Sequence, residues 1–173
     1  MKFKFTIGIL ITAIISIFGF YSCEKDDICV DAVTPRLIVR FYDQTDYDQT
    51  LDVTNLRVSD LDGNAVYLSD AETVISNVDS ILIPLKTLED STTFIFHTNY
   101  GVEDDGTISG NADTLTFNYV RNELYVSRAC GYKVNYSELA DELEEDDDNW
   151  IFNVTIENNE VLDETAAHVY IYH

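Results

Sequence analysis

Short runs of alternating apolar and polar residues constrain the fold of this chain more than any other feature. In Arg36–Phe41, an extended strand places Leu37, Val39 and Phe41 on one face and the arginines on the other. Similar runs recur about every eight to twelve residues, separated by Asp, Asn or Gly, and this spacing predicts an all-β fold. We expect a single antiparallel β-sandwich of Ig-like or Greek-key type with about nine strands. The further candidate strands are Leu51–Val58, Ala65–Leu68, Ser80–Leu85, Thr92–His97, Thr114–Arg121, Glu123–Arg128, Trp150–Ile156 and His168–Tyr172.

Two local patterns add detail to this outline. Arg121-Asn122 stands between two alternating runs, and Asn tolerates the positive φ of a tight turn, so the sequence predicts a hairpin there. Helical spacing is present only at Ser137–Leu143, where Leu139 and Leu143 lie four residues apart. At most one short helix is therefore expected.

The N-terminus has the layout of a signal peptide that ends at a lipidation site. Lys2 and Lys4 precede an apolar run, and Ser22 stands directly before Cys23. We therefore predict a lipoprotein signal peptide at 1–22 and a lipidated Cys23. An uncleaved membrane anchor is the alternative, although the apolar run is short for a bilayer span. An acidic tether at 23–34 and a β-sandwich domain at 35–173 would follow.

The compartment is predicted from the residues after the lipidation site. Glu24-Lys25-Asp26-Asp27 resembles the lysine-plus-acidic signal that sends Bacteroidota lipoproteins to the outer face of the outer membrane. We predict a lipid anchor in the outer membrane, with the surface and the periplasmic leaflet both open.

The charge of the chain limits its partners. The whole sequence has a formal charge of −22, and removing the leader leaves eight basic and 32 acidic residues, a net charge of −24. Nucleic-acid binding is therefore excluded, because phosphate backbones require basic surfaces. The charge favours basic partners, or simply solubility.

Two cysteines, Cys29 and Cys130, remain once Cys23 carries lipid. A pair of cysteines in an oxidising compartment predicts a disulfide, which here would tie the tether to the late strands. Metal ligation and catalysis are the alternatives, and neither cysteine has a His nearby in sequence.

One loop has a weak calcium pattern. Asp60, Asp62 and Asn64 supply alternating oxygen donors around a glycine. The EF-hand pattern requires a Glu at its twelfth position, where this chain has Ala71, and helices around the loop, where strands are predicted here. A hairpin turn is therefore the stronger interpretation.

The sequence predicts no enzyme and no cofactor. His97 and His168 fall in strand patterns and His173 is terminal, so their spacing matches no metal site. The eleven tyrosines suit half-buried strands, and exposed tyrosine rings that hold glycans are the alternative.

Eight short segments in order resemble small Bacteroidota lipoproteins that form a family of unknown function. The segments are Cys29 in the tether, Thr34-Pro35, Phe41-Tyr42-Asp43, Ile83-Pro84-Leu85, Tyr119-Val120-Arg121, Ala129-Cys130-Gly131-Tyr132, Asn149-Trp150-Ile151 and Ala167-His168-Val169. The resemblance implies an acidic β-sandwich lipoprotein without an assigned activity. It also implies an accessory role beside outer-membrane β-barrel proteins.

Function is accordingly expected in the cell envelope. We predict a non-catalytic accessory or structural component that binds the membrane through its anchor and an outer-membrane β-barrel or another envelope protein through its surface. The alternative is a surface module that binds glycan or calcium.

Overall fold

The computed structural model describes residue 29, residues 33–66 and residues 73–173. The predicted signal peptide, Cys23 and most of the predicted tether lie outside these residues, as do residues 67–68 of one predicted strand. Within the described ranges, no helix is long and apolar enough to cross a membrane.

In the part of the chain that the structure describes, ten strands form two five-stranded sheets. The first sheet has the order β2-β1-β10-β9, with β5 also paired to β1, and the second has the order β4-β3-β6-β7-β8. The prediction of an all-β sandwich is confirmed, and the described residues contain no helix. The strands are β1 (Leu37–Asp43), β2 (Asp46–Thr50), β3 (Val53–Ser59), β4 (Ile75–Val78), β5 (Ser80–Ile83), β6 (Ser91–Val102), β7 (Ile108–Ser127), β8 (Gly131–Leu143), β9 (Asn153–Ile156) and β10 (Val169–Tyr172).

The first sheet joins the two ends of the domain through a parallel pair. Val39 of β1 lies opposite Val169 of β10, and Tyr42 lies opposite Tyr172. The other strand pairs among the described residues are antiparallel, as expected, and this one parallel pair was not predicted from the sequence. Parallel neighbours cannot be joined by a tight turn, and here almost the whole domain forms the connection between them.

Alternation along the strands builds the core between the sheets. Leu37, Val39 and Phe41 are fully buried, as predicted, and Leu115 and Phe117 meet them from the second sheet. Burying each such side chain contributes about 1.5–3 kcal/mol relative to leaving it exposed. The core is therefore the main source of stability.

The helix expected at Ser137–Leu143 is a strand, because this segment is the second half of β8. Leu143 pairs with Leu115 of β7, and Leu139 is buried in the core. A spacing of four residues equals two strand periods as well as about one helical turn, so the leucine pattern fits both structures. Pairing with β7 decides between them.

The hairpin predicted at Arg121-Asn122 is also wrong. Both residues lie inside β7, where Arg121 pairs with Tyr136 and Asn122 with Asn135. The chain instead turns between Ser127 and Gly131, and Gly131 has a φ of 72°. A left-handed φ favours glycine, so the turn forms there.

The β7–β8 hairpin extends past the rest of its sheet. Strand β6 pairs with β7 only as far as Asn118. The Tyr119 N–H still donates to the Asp90 carbonyl, and beyond it Val120 to Ser127 pair with β8 and extend about 26 Å at about 3.3 Å per residue. We call this two-stranded extension, residues 119–137, the ribbon.

One carboxylate is buried in the core at the opposite end of β7. Asp113 is fully buried, and its Oδ2 accepts a hydrogen bond of 2.8 Å from the Ile151 N–H. Its Oδ1 has no hydrogen-bond partner among the described residues. Burial raises the pKa of Asp113, and hydrogen bonds from Ile151 and Asn149 oppose that rise. Because the folded protein disfavours the charged carboxylate, the free energy of unfolding falls as pH rises from the ordinary pKa of aspartate through the raised pKa.

We predict that Asp113→Asn raises the free energy of unfolding at pH 7 by about 1 kcal/mol. The amide keeps an oxygen for the Ile151 N–H and removes the buried charge. The gain should disappear below the ordinary pKa of aspartate, where the wild type is also neutral. Urea unfolding at pH 7 and pH 3 measures both effects.

Asp113→Ala is the control, and it should lower the free energy of unfolding by about 1–3 kcal/mol because it removes the acceptor for the Ile151 N–H. An Asp113→Asn variant less stable than wild type at pH 7 would contradict this account.

Candidate functional site

The tether is fastened to the ribbon by a disulfide and a hydrogen bond. Cys29 and Cys130 are bonded, with their Cα atoms 4.9 Å apart, so the structure contains the pair expected from the sequence. Five residues further along the tether, Thr34 Oγ1 accepts a hydrogen bond of 3.0 Å from the Val134 N–H. These contacts hold the segment before β1 against the turn of the ribbon.

Apolar and aromatic side chains surround this attachment point. Tyr125 and Tyr132 face each other across the ribbon, with ring centroids 5.3 Å apart, and are 61% and 70% exposed. Val33 is 73% exposed beside them. A depression of about 250 Å³ lies between the tether and the ribbon, lined by Cys29, Val33, Thr34, Val126, Cys130, Tyr132 and Lys133.

A second aromatic group lies on the outer face of the first sheet. The ring of Tyr42 is 4.8 Å from Tyr170 and 5.8 Å from Tyr172, and Tyr47 of β2 stacks on Tyr172 at 4.3 Å. We call these four residues the tyrosine platform. Tyr47 is 51% exposed, Tyr42 and Tyr170 are half-buried, and Tyr172 is buried beneath them. Only three of the four rings are therefore accessible to a partner.

The parallel register builds the platform. Val169 and Ile171 of β10 face the core, so Tyr170 and Tyr172 point outward. On β1 the same alternation turns Tyr42 outward, directly opposite Tyr172. Burial and the neighbouring Tyr42 raise the pKa of Tyr170, and burial raises that of Tyr172. Both hydroxyls are neutral at physiological pH.

This platform was not predicted from the sequence. The available signal was alternation within His168–Tyr172, which puts Tyr170 and Tyr172 on one face of a strand. The pattern could not pair the first strand with the last, and β2 was not recognised as a strand because its residues are polar.

The calcium candidates form a hydrogen-bonded turn. Asp60 Oδ1 accepts from the N–H groups of Asp62 and Asn64 at 3.0 and 2.8 Å, and Asp60 Oδ2 accepts from the Asn64 amide at 2.9 Å. These hydrogen bonds lower the pKa of Asp60. Across the described residues, no group of three or more His, Cys, Asp or Glu side chains is placed to hold a metal ion.

The three histidines make structural contacts at separate places. The N–H of Ile38 donates to Nδ1 of His168 at 3.0 Å, and the His168 N–H donates to the Ile38 carbonyl. This reciprocal pair extends the β1–β10 ladder by one step. His97 Nε2 is 3.0 Å from the Ser109 carbonyl, and His173 Nε2 is 3.2 Å from the Leu51 carbonyl.

The chain belongs to the family of unknown function DUF6452, which it matches over residues 51–173. The matched region includes strands β3–β10 and therefore Cys130, the ribbon and half of the tyrosine platform. No curated protein and no solved structure matches the chain.

The geometry around His168 predicts a pH-dependent loss of stability. Burial lowers the pKa of His168, while the charges of Asp163 and Glu164 partly oppose that shift. The folded protein therefore favours the neutral imidazole. This contribution to the free energy of unfolding is complete above about pH 6.5, the ordinary pKa of histidine, and is lost as pH falls through the lowered pKa. Protonation also removes the acceptor used by the Ile38 N–H.

We expect the wild type to lose about 1 kcal/mol more than His168→Asn between pH 7 and pH 5. The asparagine oxygen can still accept from Ile38 and does not titrate. Urea titrations across this range measure the difference. Burial also lowers the pKa of His97, so His97→Asn is measured in parallel to separate the contribution of that histidine from that of His168. Equal pH dependence of the wild type and His168→Asn would show that His168 is not responsible.

Proposed function

We propose that this protein is a non-catalytic accessory component of the cell envelope. In this proposal, lipid on Cys23 holds the domain at the outer membrane, and the domain binds another envelope protein. The anchor is supported by the leader at 1–22, by the small residue before Cys23 and by the short tether that follows. The resemblance to small Bacteroidota lipoproteins, over segments from Cys29 to Val169, supports the same location.

The tyrosine platform is the observation that favours protein binding. Tyrosine is enriched at protein interfaces, because its large ring has few rotatable bonds to immobilise and its hydroxyl can form a hydrogen bond. The platform rings already contact one another at centroid distances of 4.3–5.8 Å. Much of the entropy of ordering them is therefore lost on folding rather than on binding.

Charge around the platform indicates the chemistry of the partner. Tyr47 stands between Asp46 and Asp48 in β2, and all three residues are exposed. An aromatic contact bordered by carboxylates fits a partner with an apolar patch bordered by Lys or Arg. The charge of the mature chain would also accelerate encounter with such a basic surface at low salt.

Crosslinking in native outer membranes tests this function. The natively lipidated protein is recovered from crosslinked membranes and bound proteins are identified by mass spectrometry. We expect a reproducible protein partner, and Tyr47→Ala should reduce its recovery about tenfold, the effect of losing an interface residue worth 1.4 kcal/mol or more.

Two controls accompany this experiment. Leu88→Ala removes an even more exposed apolar side chain from the β5–β6 loop, outside the platform, and should leave recovery unchanged. Cys23→Ala should release the protein from the membrane. Recovery of the lipoprotein without a partner, or unchanged recovery with Tyr47→Ala, would contradict the proposed function.

Glycan binding is the second candidate, because the same accessible rings could stack on sugar faces. Glycan arrays probed with the wild type and with Tyr47→Ala distinguish the two functions. Binding of a defined glycan that depends on Tyr47, without a protein partner in the crosslinked membranes, would favour the glycan candidate.

A further inference from the structure

We infer that the turn end of the ribbon is a membrane-docking surface that rests on the lipid headgroups beside the anchor. The surface consists of Tyr125, Tyr132, Val33 and the basic residues Arg128 and Lys133. Docking requires the lipid anchor at Cys23 and so rests on the proposed function. It adds a second contact with the membrane and an orientation of the domain.

Chain length brings this surface close to the anchor. The predicted lipidation site, Cys23, precedes Cys29 by six residues, and the disulfide joins Cys29 to Cys130 at the ribbon turn. Six extended residues span about 20 Å at most. The Cα atoms of Cys29 and Cys130 are a further 4.9 Å apart, so Cys130 at the ribbon turn lies within about 25 Å of the predicted lipidated residue, wherever the rest of the domain points.

The distribution of charge favours this orientation. Residues 124–137 contain no Asp or Glu, although the chain has 32 of them, and they contain Arg128 and Lys133. The acidic residues Glu123 and Glu138 stand at either end of this stretch. Headgroup phosphates repel carboxylates and attract basic side chains near an anionic surface. The ribbon turn therefore carries basic side chains and no acidic ones of its own, and the carboxylate that interacts with Lys133 is that of Asp163, from the segment before β10.

The side chains at the tip suit the boundary between water and lipid. Tyr125 and Tyr132 are 61% and 70% exposed and Val33 is 73% exposed, so these rings and this aliphatic side chain lie uncovered together. Tyrosine is enriched at membrane interfaces, where its ring enters the headgroup layer and its hydroxyl stays hydrated. Lys133 lines the same depression and can place its amine among the phosphates.

Docking at the ribbon would hold the tyrosine platform away from the membrane. Strand β1 begins next to the tether, where Thr34 contacts Val134 of the ribbon. It ends at the platform, near the contact of Phe41 with Trp150 and His173. The seven residues of β1 separate the two ends by about 20 Å at about 3.3 Å per residue. A partner would therefore meet the platform on the side facing away from the lipid.

Fluorescence quenching by lipid tests this orientation. The natively lipidated protein is reconstituted into vesicles of phosphatidylethanolamine and phosphatidylglycerol whose acyl chains carry bromine. Tyr132→Trp places a reporter in the docking surface, and Tyr47→Trp is the matched control in the platform. Trp150 is present in every variant as the internal reference.

We expect Tyr132→Trp to show quenching and a blue shift beyond those of the wild type, whereas Tyr47→Trp shows neither. Vesicle flotation of the wild type and of Cys23→Ala separately reports the anchor. Flotation without quenching at position 132, or equal quenching at positions 132 and 47, would overturn docking and leave the anchor intact. Failure of the wild type to float would overturn the anchor and docking together. Crosslinks from position 132 to protein in native membranes would assign this surface to a protein partner and overturn lipid docking.

Discussion

The parallel pairing of β1 with β10 is the constraint on which the rest of the structure depends. It joins the two ends of the domain in one sheet, and its alternation places Leu37 and Val39 in the core while Tyr42 and Tyr172 face outward. The buried His168 extends the ladder through its reciprocal hydrogen bonds with Ile38. Core formation and the tyrosine platform are therefore two consequences of one register, since a shift of one residue would exchange the two faces.

The disulfide adds a second constraint that concerns orientation. It fixes the tether to the turn of the ribbon, at the end of the domain opposite Phe41, Trp150 and His173. Closing a loop of 101 residues contributes about 4.7 kcal/mol by chain entropy. Its positional effect matters more for the proposed function. A flexible tether alone would leave the domain free to rotate, whereas attachment at the ribbon turn would keep that turn beside the anchor.

Local patterns predicted the sandwich and the buried face of β1, because both depend on alternation between neighbouring residues. The cysteine pair was predicted from the number of cysteines that remain beside Cys23. Strand β2 was missed, since its sequence, Asp46–Thr50, is polar and exposed. The sequence allowed at most one short helix, at Ser137–Leu143, and could not show that this segment is a strand, because leucines four apart suit both structures. The platform could not be predicted, since it forms only when strands from opposite ends of the chain become neighbours. The same long-range pairing decides which tyrosines remain accessible.

We propose that the two ends of this domain meet different partners, lipid at the ribbon and protein at the platform. Site-specific photocrosslinking in intact cells tests both ends in one measurement. A benzophenone amino acid replaces Tyr47 in one strain and Tyr132 in another, and adducts are identified after irradiation. We expect a discrete protein adduct from position 47 and lipid adducts from position 132. Protein adducts from position 132 with none from position 47 would contradict it.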